Sequence, residues 1–431
     1  MVQSDIPNYE LAVIGSGIAG MAAALYAASR NISTILIGDT GSFHLISGML
    51  DLFRLNPLKS RTKWENPWHG IEQLIREVPH HPYAKMHRDD LEGAFKEFTE
   101  FLADAGLPYQ CADQRNSQLL TAVGTLKSSY YIPKTMWSGV KAVQEKAPCL
   151  LIDFEGMKEY SANQIRIILG ENWPGLRSAR VAFPGLSANE VYGEHIARSL
   201  DVKAHRLALA KRIKPLLKGV QYVGAPAVLG LYKSSEVIRD LEEILGVSFF
   251  EIPTLPVSVH GIRMTEAFGQ KLPAMGVQQY WQKRVLSAKI NTEKDFTLEI
   301  GKISPELTIK AQNVILASGR FLSKGLIAKR GAIKEPLFDL PLTYPEKRSL
   351  WHERDFFNPH GHKINRAGVE VDNSFRPIDT QGKIIDERLF AVGAILAHQD
   401  WKREKCGTGM AIGSAYRAVK EIEKHNTLKQ L

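Results

Sequence analysis

Residues 11–37 constrain the fold of this chain most. Leu11-Ala12-Val13-Ile14 runs directly into Gly15-Ser16-Gly17-Ile18-Ala19-Gly20 and then Met21-Ala22-Ala23-Ala24-Leu25-Tyr26: an apolar strand, a glycine turn and a small-residue helix. This is the first βα turn of a dinucleotide-binding fold. Gly15 permits the tight turn, Gly17 lets the backbone approach a pyrophosphate, and Gly20 with the alanines lets the helix lie close on the sheet. The helix N-terminus then faces the phosphate charge. Ser16, Ile18 and Ala19 complete the loop, and a second apolar run, Thr34-Ile35-Leu36-Ile37, supplies the next strand.

One position departs from that pattern. An Asp or Glu at the end of the second strand ordinarily holds the adenosine ribose, and counting from Gly20 places that slot near Gly38, with Asp39 one residue later. The phosphate loop is present and the ribose acid is displaced. Asp39 is the candidate for that role, and a turn is expected over Gly38-Asp39-Thr40-Gly41-Ser42.

The 431 residues, 44% apolar and 23% charged, are enough for roughly two or three domains with sizeable cores. The longest apolar stretches, near Tyr222–Tyr232 and Leu389–Ala397, fall short of the roughly 18–20 residues that cross a bilayer. The N-terminus shows no secretory signal pattern, so a cytoplasmic location is expected. Cys111, Cys149 and Cys406 are few, odd in number and widely spaced, which points away from a disulfide framework and from iron-sulfur or structural zinc motifs. The net charge of +9 suits an anionic substrate, an anionic cofactor, an acidic membrane surface or nucleic acid. Charge alone does not choose among them.

Further along, Phe43 to Leu52 is an apolar run with a small bend at Ser47-Gly48, a segment that passes the isoalloxazine ring in many flavoproteins built on this unit. The stretch from Pro57 to Pro82 reads as an ordered loop with a helix near Ile71–Glu77, and Leu91–Ala105 has helical periodicity. From Cys149 a new alternation begins. Strands at Cys149–Ile152, Ala179–Phe183 and Val220–Val223 alternate with helices at Ser161–Leu169, Val191–Leu200 and Ser235–Leu245, which implies a second parallel α/β unit. A hairpin follows at Val285–Ile290 and Phe296–Ile300, and Asn313–Arg320 resembles the strand and small-residue turn that closes the sheet of two-dinucleotide-fold flavoproteins. Arg388–Ala394 is another strand into glycine, and Cys406-Gly407-Thr408-Gly409-Met410-Ala411 opens a helix through Val419. Such a helix start offers backbone N–H groups to a phosphate or a reduced flavin. The fold expected is α/β, a Rossmann-like flavin-binding domain split in sequence (1–139 and 256–431) around an inserted α/β domain (140–255).

The ordered set Gly15–Gly20, Gly41–Leu52, His81-Pro82-Tyr83, Pro253–Arg263, Ala317–Leu326, Glu335-Pro336, Asp355-Phe356-Phe357, Leu389–Gly393 and Cys406-Gly407 resembles the B subunits of anaerobic glycerol-3-phosphate dehydrogenases. The resemblance covers nearly the whole chain. It implies a flavoprotein subunit that works with a larger flavin-bearing catalytic subunit and an iron-sulfur, membrane-anchoring subunit. That complex oxidises sn-glycerol 3-phosphate to dihydroxyacetone phosphate in anaerobic respiration and passes the electrons to quinone. The chain would then sit on the inner face of the cell membrane through its partners. The glycine motif favours FAD and the resemblance favours FMN, so both cofactors stay open. A self-sufficient flavin oxidoreductase of fumarate-reductase-like type is an alternative. A nucleic-acid-associated flavoprotein rests on charge alone and lacks a concentrated basic tail, so no nucleic-acid partner is expected.

Beyond the loop, the candidate cofactor-binding residues are Asp39, Ser47, Gly48, Ser318, Gly319, Gly393, Ala394, Gly407, Thr408, Gly409 and Met410. Oxidation of a secondary alcohol needs a base for the hydroxyl proton and cations for the phosphate. His260 and Arg263 sit within one turn after a proline-rich bend, while His44 and Arg320 flank the expected flavin face; these four are the catalytic candidates. Against this, Arg263 also fits an interdomain salt bridge and His44 a packing histidine. Cys406 fits a small packing residue behind the flavin better than a redox thiol, and the adjacent His80 and His81, between Pro79 and Pro82, fit a structural turn better than a metal pair.

Overall fold

The structure, a computed structural model, describes residues 6–39, 43–56, 63–186, 190–292 and 295–430. Thr40, Gly41 and Ser42 of the expected turn, and residues 57–62 of the expected loop, lie outside them. The chain divides into two compact units, one of residues 1–42, 51–98 and 268–431, the other of 43–50 and 99–267.

The first unit is built on a seven-stranded sheet. Its strands are β1 (Asn8–Ile14), β2 (Thr34–Gly38), β3 (Gln278–Trp281), β4 (Arg284–Ile290), β5 (Phe296–Gly301), β6 (Pro305–Leu316) and β7 (Leu389–Ala391). Their order is β3-β2-β1-β6-β5-β4, with β7 also on β6. The long β6 changes partners along its length: residues 305–311 pair antiparallel with β5, and Val314–Leu316 pair parallel with β7. Leu11 to Ile14 and Val314 to Leu316 are buried on both faces, as a central parallel strand requires.

Helix α1 (Ile18–Ala28) is buried along nearly its whole length, so its small residues serve contact on every side. The C-terminal helix α2 (Gly407–Gln430) lies against it, with Tyr26 and Tyr416 meeting edge to face at 5.0 Å. It extends well beyond Val419; the later turns carry Lys and Glu rather than an apolar stripe, so their helicity leaves little trace in hydrophobic period.

The second unit carries a four-stranded, all-parallel sheet in the order Ser248–Ile252, Tyr222–Pro226, Cys149–Phe154, Leu176–Val181. Helices at Ala162–Leu169, Gly193–Leu200, Lys203–Ile213 and Ser234–Leu245 connect and cover it, and Ser161 caps the first by accepting from the Gln164 N–H at 3.3 Å. This unit runs wider than the stretch 140–255 read from the sequence. Leu120 and Ala122 pack into the same core as Ala142, Leu151, Val223 and Phe250, which draws in the segment before 140.

Segment 43–50 also belongs to this second unit, although it follows β2 in sequence. Leu50 and Tyr131 exchange backbone hydrogen bonds of 2.9 and 3.0 Å, and the Ser258 N–H donates to the His44 carbonyl at 3.0 Å. The proline-rich bend leads into a helix, Val259–Ala274, that the sequence did not reveal; it places His260 and Arg263 three residues apart on one face.

Candidate functional site: a dinucleotide cradle and its buried polar supports

The glycine loop has the shape its residues predict. Gly15 has φ +120°, and its N–H donates to the Ile37 carbonyl at 2.7 Å. A Cβ there would lie 2.3 Å from the Ala317 carbonyl oxygen, and one on Gly20 would lie 1.7 Å from the Gly15 carbonyl oxygen. Neither position can carry a side chain without moving backbone. Gly17 stands at the N-cap of α1 in extended conformation with no side-chain cap, and the first turn holds no acidic residue. Its N–H groups and the positive end of the helix dipole are therefore available to an anion.

Two further segments close on this loop. The Ser318 N lies 3.2 Å from the position a Gly15 Cβ would take, and the Ser318 hydroxyl is buried without a partner, a polar atom suited to a cofactor oxygen. Gly319 has φ +71° and turns the chain there. Gly393, with φ +75°, brings its Cα so near α1 that a Cβ would meet that of Ala19 at 2.6 Å, and it begins a short turn that includes Ala394. Gly15, Ala19, Gly20, Ser318 and Gly393 are thus one locality. Their residues fit a bound pyrophosphate.

The displaced ribose acid has a steric reason. A Cβ on Gly38 would lie 2.3 Å from the Ser16 hydroxyl and 2.4 Å from the Ser16 backbone N, so the glycine loop itself occupies the space where an acid would sit. Ser16 donates to the Asp39 carbonyl at 3.1 Å, while the Asp39 carboxylate is exposed and paired with Arg284 at 2.7 Å.

The start of α2 needs a correction. Its backbone is not wholly bare: the Gly409 N–H donates to the Asp51 carbonyl at 2.7 Å, and that of Met410 to the Cys406 carbonyl at 2.9 Å. Gly409 answers to packing, since a Cβ would lie 2.5 Å from the Tyr83 hydroxyl. Thr408 and Met410 are buried.

Of the catalytic candidates, Arg320 belongs to the first unit and is engaged. It donates to the carbonyls of Asn365, of Leu396 at 2.7 Å and of Gln399 at 3.0 Å, which fixes the turn after β7. Only its Nε is unpartnered, and burial lowers its pKa to about 10. His44, His260 and Arg263 belong to the second unit together with Ser47 and Gly48.

Arg263 has no donor to spare. Its five N–H bonds go to Glu251 (2.8 Å from both Nη atoms), to the Gly230 carbonyl (2.9 Å from Nε, and again from Nη2) and to His260 Nε2 (3.3 Å). The pair with Glu251 lies inside one unit, so it is neither an interdomain bridge nor a free phosphate clamp. Burial pushes the Glu251 carboxyl up, but Arg263 and His260 outweigh it and hold its pKa at about 2. Burial lowers His260 to about 4, so this imidazole is neutral. Its Nε2 lies 3.3 Å from Arg263 Nη1 and 3.4 Å from Glu251 Oε2, so that edge of the ring is engaged, while Nδ1 is buried without a partner and is the ring atom left to meet a ligand. Gly48, φ +84°, is needed beside that ring, where a Cβ would meet Cδ2 at 2.6 Å. The His44 Nδ1 is likewise buried and unpartnered; Ser47 is half-buried.

Two polar clusters escaped sequence reasoning because their members are far apart in the chain. His81, Glu404 and Cys406 meet in the first unit, all fully buried. The Tyr83 N–H donates to His81 Nδ1 at 3.2 Å, so the proton sits on Nε2, which donates to Glu404 at 3.2 Å. Cys406 donates to the same oxygen at 3.4 Å, and the Asp400 N–H to the other at 3.1 Å. A metal would need the Nε2 lone pair that this arrangement uses for a proton, so the cluster is a hydrogen-bond network. Burial and Glu404 push the Cys406 thiol well up, in keeping with packing rather than redox use. The second cluster pairs His398, at φ +66°, with Glu370 at 2.5 Å; Thr343 donates to the same carboxylate at 3.0 Å.

An α/β unit with a pyrophosphate cradle at its first βα turn defines a dinucleotide-dependent protein. The chain belongs to the FAD binding domain family, whose model matches residues 10–410, and it is a flavin-dependent oxidoreductase. That family is described by FAD; the preference for FMN drawn from resemblance finds no support in it. Among curated proteins the chain is similar to anaerobic glycerol-3-phosphate dehydrogenase B subunits of several bacteria. With that of Vibrio cholerae serotype O1 (strain M66-2) it shares 29% identity over 96% of each chain. With that of Pectobacterium carotovorum subsp. carotovorum (strain PC1) it shares 27% identity over 98% of this chain and 100% of the other. Among solved structures, 3-ketosteroid delta1-dehydrogenase from Sterolibacterium denitrificans covers 97% of this chain and 100% of its own at 12% identity and a TM-score of 0.44.

Proposed function

We propose that this chain is the flavoprotein subunit of an anaerobic sn-glycerol-3-phosphate dehydrogenase, in which glycerol 3-phosphate is oxidised to dihydroxyacetone phosphate and the electrons reach quinone through partner subunits. The observation that carries the reading is the end-to-end likeness to proteins named as a subunit of that enzyme, over 96% of both chains. Three cysteines, of which Cys149 and Cys406 are buried, offer no ligand set for an iron-sulfur cluster. The reading therefore assigns the cluster, and attachment to the inner face of the membrane, to a partner, and substrate oxidation to a larger flavin-bearing subunit. Among the described residues no helix is long and apolar enough to cross a membrane.

A bound flavin would supply a two-electron acceptor that can give up electrons singly. Around it, Gly15, Gly17, Gly20, Ser318, Gly319 and Gly393 would hold the phosphates, and Asp39 would serve the ribose end. Gly407 and Thr408, at the start of the second helix, would lie near it, and Arg320 fixes the turn after β7. In the second unit, Nδ1 of His44 and Nδ1 of His260 are the groups free to meet a polar ligand, with Arg263 and Glu251 as the positioning residues that hold the other edge of the His260 ring.

The test compares the full chain purified alone with the chain co-expressed with its partner subunits, measuring glycerol-3-phosphate-dependent reduction of an artificial acceptor. Turnover only with the partners supports the subunit reading. Turnover of a substrate by the chain alone supports a self-sufficient oxidoreductase and overturns it.

A further inference from the structure

Two stretches of the first unit, 322–330 and 346–363, combine exposed apolar side chains with an excess of positive charge. Leu322, Phe356 and Phe357 are 86%, 77% and 83% exposed. The two Phe rings meet edge to face at 5.1 Å on a loop that holds them outward. His362 braces that loop from inside: the Glu353 N–H donates to Nδ1 at 3.0 Å, and Nε2 donates to the Phe356 carbonyl at 3.1 Å. The Phe357 N–H donates to Asp355 at 3.0 Å, and Arg403 donates to the Asn358 carbonyl at 3.2 Å. Both imidazole nitrogens and the flanking backbone groups are spent on presenting the rings to solvent.

The two stretches adjoin. Arg320, just before Leu322, donates to the Asn365 carbonyl, and Arg348 donates to the Arg330 carbonyl at 3.2 Å. Across them seven exposed cations, including Lys324, Lys329, Lys347 and Lys363, face three exposed acids, Glu346, Glu353 and Asp355. Exposed aromatic residues among lysines distinguish two kinds of partner. Lysine is depleted at protein–protein contacts, whereas lysine and arginine beside apolar side chains that enter the headgroup region mark contact with anionic lipid. The long lysine stems can lie along an apolar surface while their ammonium groups reach phosphate.

We propose that this surface docks directly on an anionic lipid bilayer, with Leu322, Phe356 and Phe357 entering the interface and the lysines meeting lipid phosphates. The chain would then contribute its own membrane contact. Docking of this kind draws on the surface itself and is independent of the substrate.

The experiment is co-sedimentation of the full chain, purified with its flavin, with vesicles of phosphatidylethanolamine and phosphatidylglycerol, against phosphatidylcholine vesicles. The expected result is binding to the anionic vesicles that weakens with salt, a loss of about tenfold or more in F356S/F357S, and a loss of about fivefold per charge removed in K324Q and K347Q. All these positions are exposed, and an unchanged visible spectrum and melting temperature establish that the variants are folded. Equal sedimentation with both vesicle types, or undiminished binding by F356S/F357S, overturns the proposal. So does a wild-type chain that ignores vesicles while F356S/F357S fails to co-purify with partner subunits, which identifies the surface as a protein contact.

Discussion

Glu251→Gln tests how the second unit is held together. Glu251 and Arg263 are each at most 1% exposed at the side chain. Glu251 Oε1 accepts from the Leu229 N–H and from Arg263 Nη2, and Oε2 accepts from Arg263 Nη1, all at 2.8 Å. Glutamine keeps the shape but replaces one oxygen with an NH2 group. Whichever oxygen is lost, a donor then faces a donor of Arg263, and the guanidinium keeps an uncompensated charge out of water. Breaking a buried pair in this way costs about 3–5 kcal/mol, which for a unit of this size lowers the melting temperature by roughly 10 °C. Urea unfolding followed by circular dichroism gives the free energy, and hydrogen exchange at 222–231 and 259–264 locates it in the second unit. The double variant E251M/R263M, with both charges gone, should recover most of the loss. A single-variant cost below about 1 kcal/mol, or a double variant less stable than the single, would refute the reasoning.

Other outcomes follow from the same geometry. The neutral state of His260 and the ionised state of Glu251 give a stability that depends on pH with a definite sign. The folded pKa of His260 is about 4 against 6.5 unfolded, and that of Glu251 about 2 against 4.5. Both are depressed, so the stability they contribute is present above the unfolded values and is lost as pH falls through the folded ones. The urea midpoint should fall from pH 6.5 toward 4 and again toward 2, and H260N should flatten the first limb; a midpoint constant from about pH 7 to 4 contradicts the assignment. Arg320→Met removes three carbonyl contacts and should cost about 2–4 kcal/mol, read as a lower urea midpoint; a change below about 0.5 kcal/mol counts against its anchoring role. Burial raises Cys149 to about 12 and pushes Cys406 well up, while Cys111 is half-buried. Iodoacetamide at about pH 8 should therefore label Cys111 first by mass spectrometry, and rapid labelling of native Cys406 would show a reactive thiol.

The glycine loop was legible because local chemistry alone dictates it: only residues lacking a Cβ fit where Gly15 and Gly20 approach backbone. The missing ribose acid was legible as an anomaly, but its cause, the backbone and side chain of Ser16 packed against Gly38, needed coordinates. The extent of the second unit was hidden because Leu120, Ala122 and segment 43–50 join it across long stretches of sequence, and periodicity carries no record of which sheet a strand serves. His81 and Glu404 are separated by 323 positions, so nothing local announces their pairing. Arg263 and His260 were visible as a pair on spacing alone. Their chemistry was not, because Glu251 decides it: the carboxylate and the Gly230 carbonyl consume the guanidinium, and burial leaves His260 neutral beside them.

The central claim, that the first βα turn is a flavin cradle, is tested most directly by acid release of the cofactor from the purified chain and its identification by mass, with Gly20→Ala alongside. The account predicts about one equivalent of flavin per chain in the parent and its loss from the variant, whose methyl would collide with the Gly15 carbonyl. A parent without flavin, or a Gly20→Ala chain that retains it at full occupancy, would contradict the account.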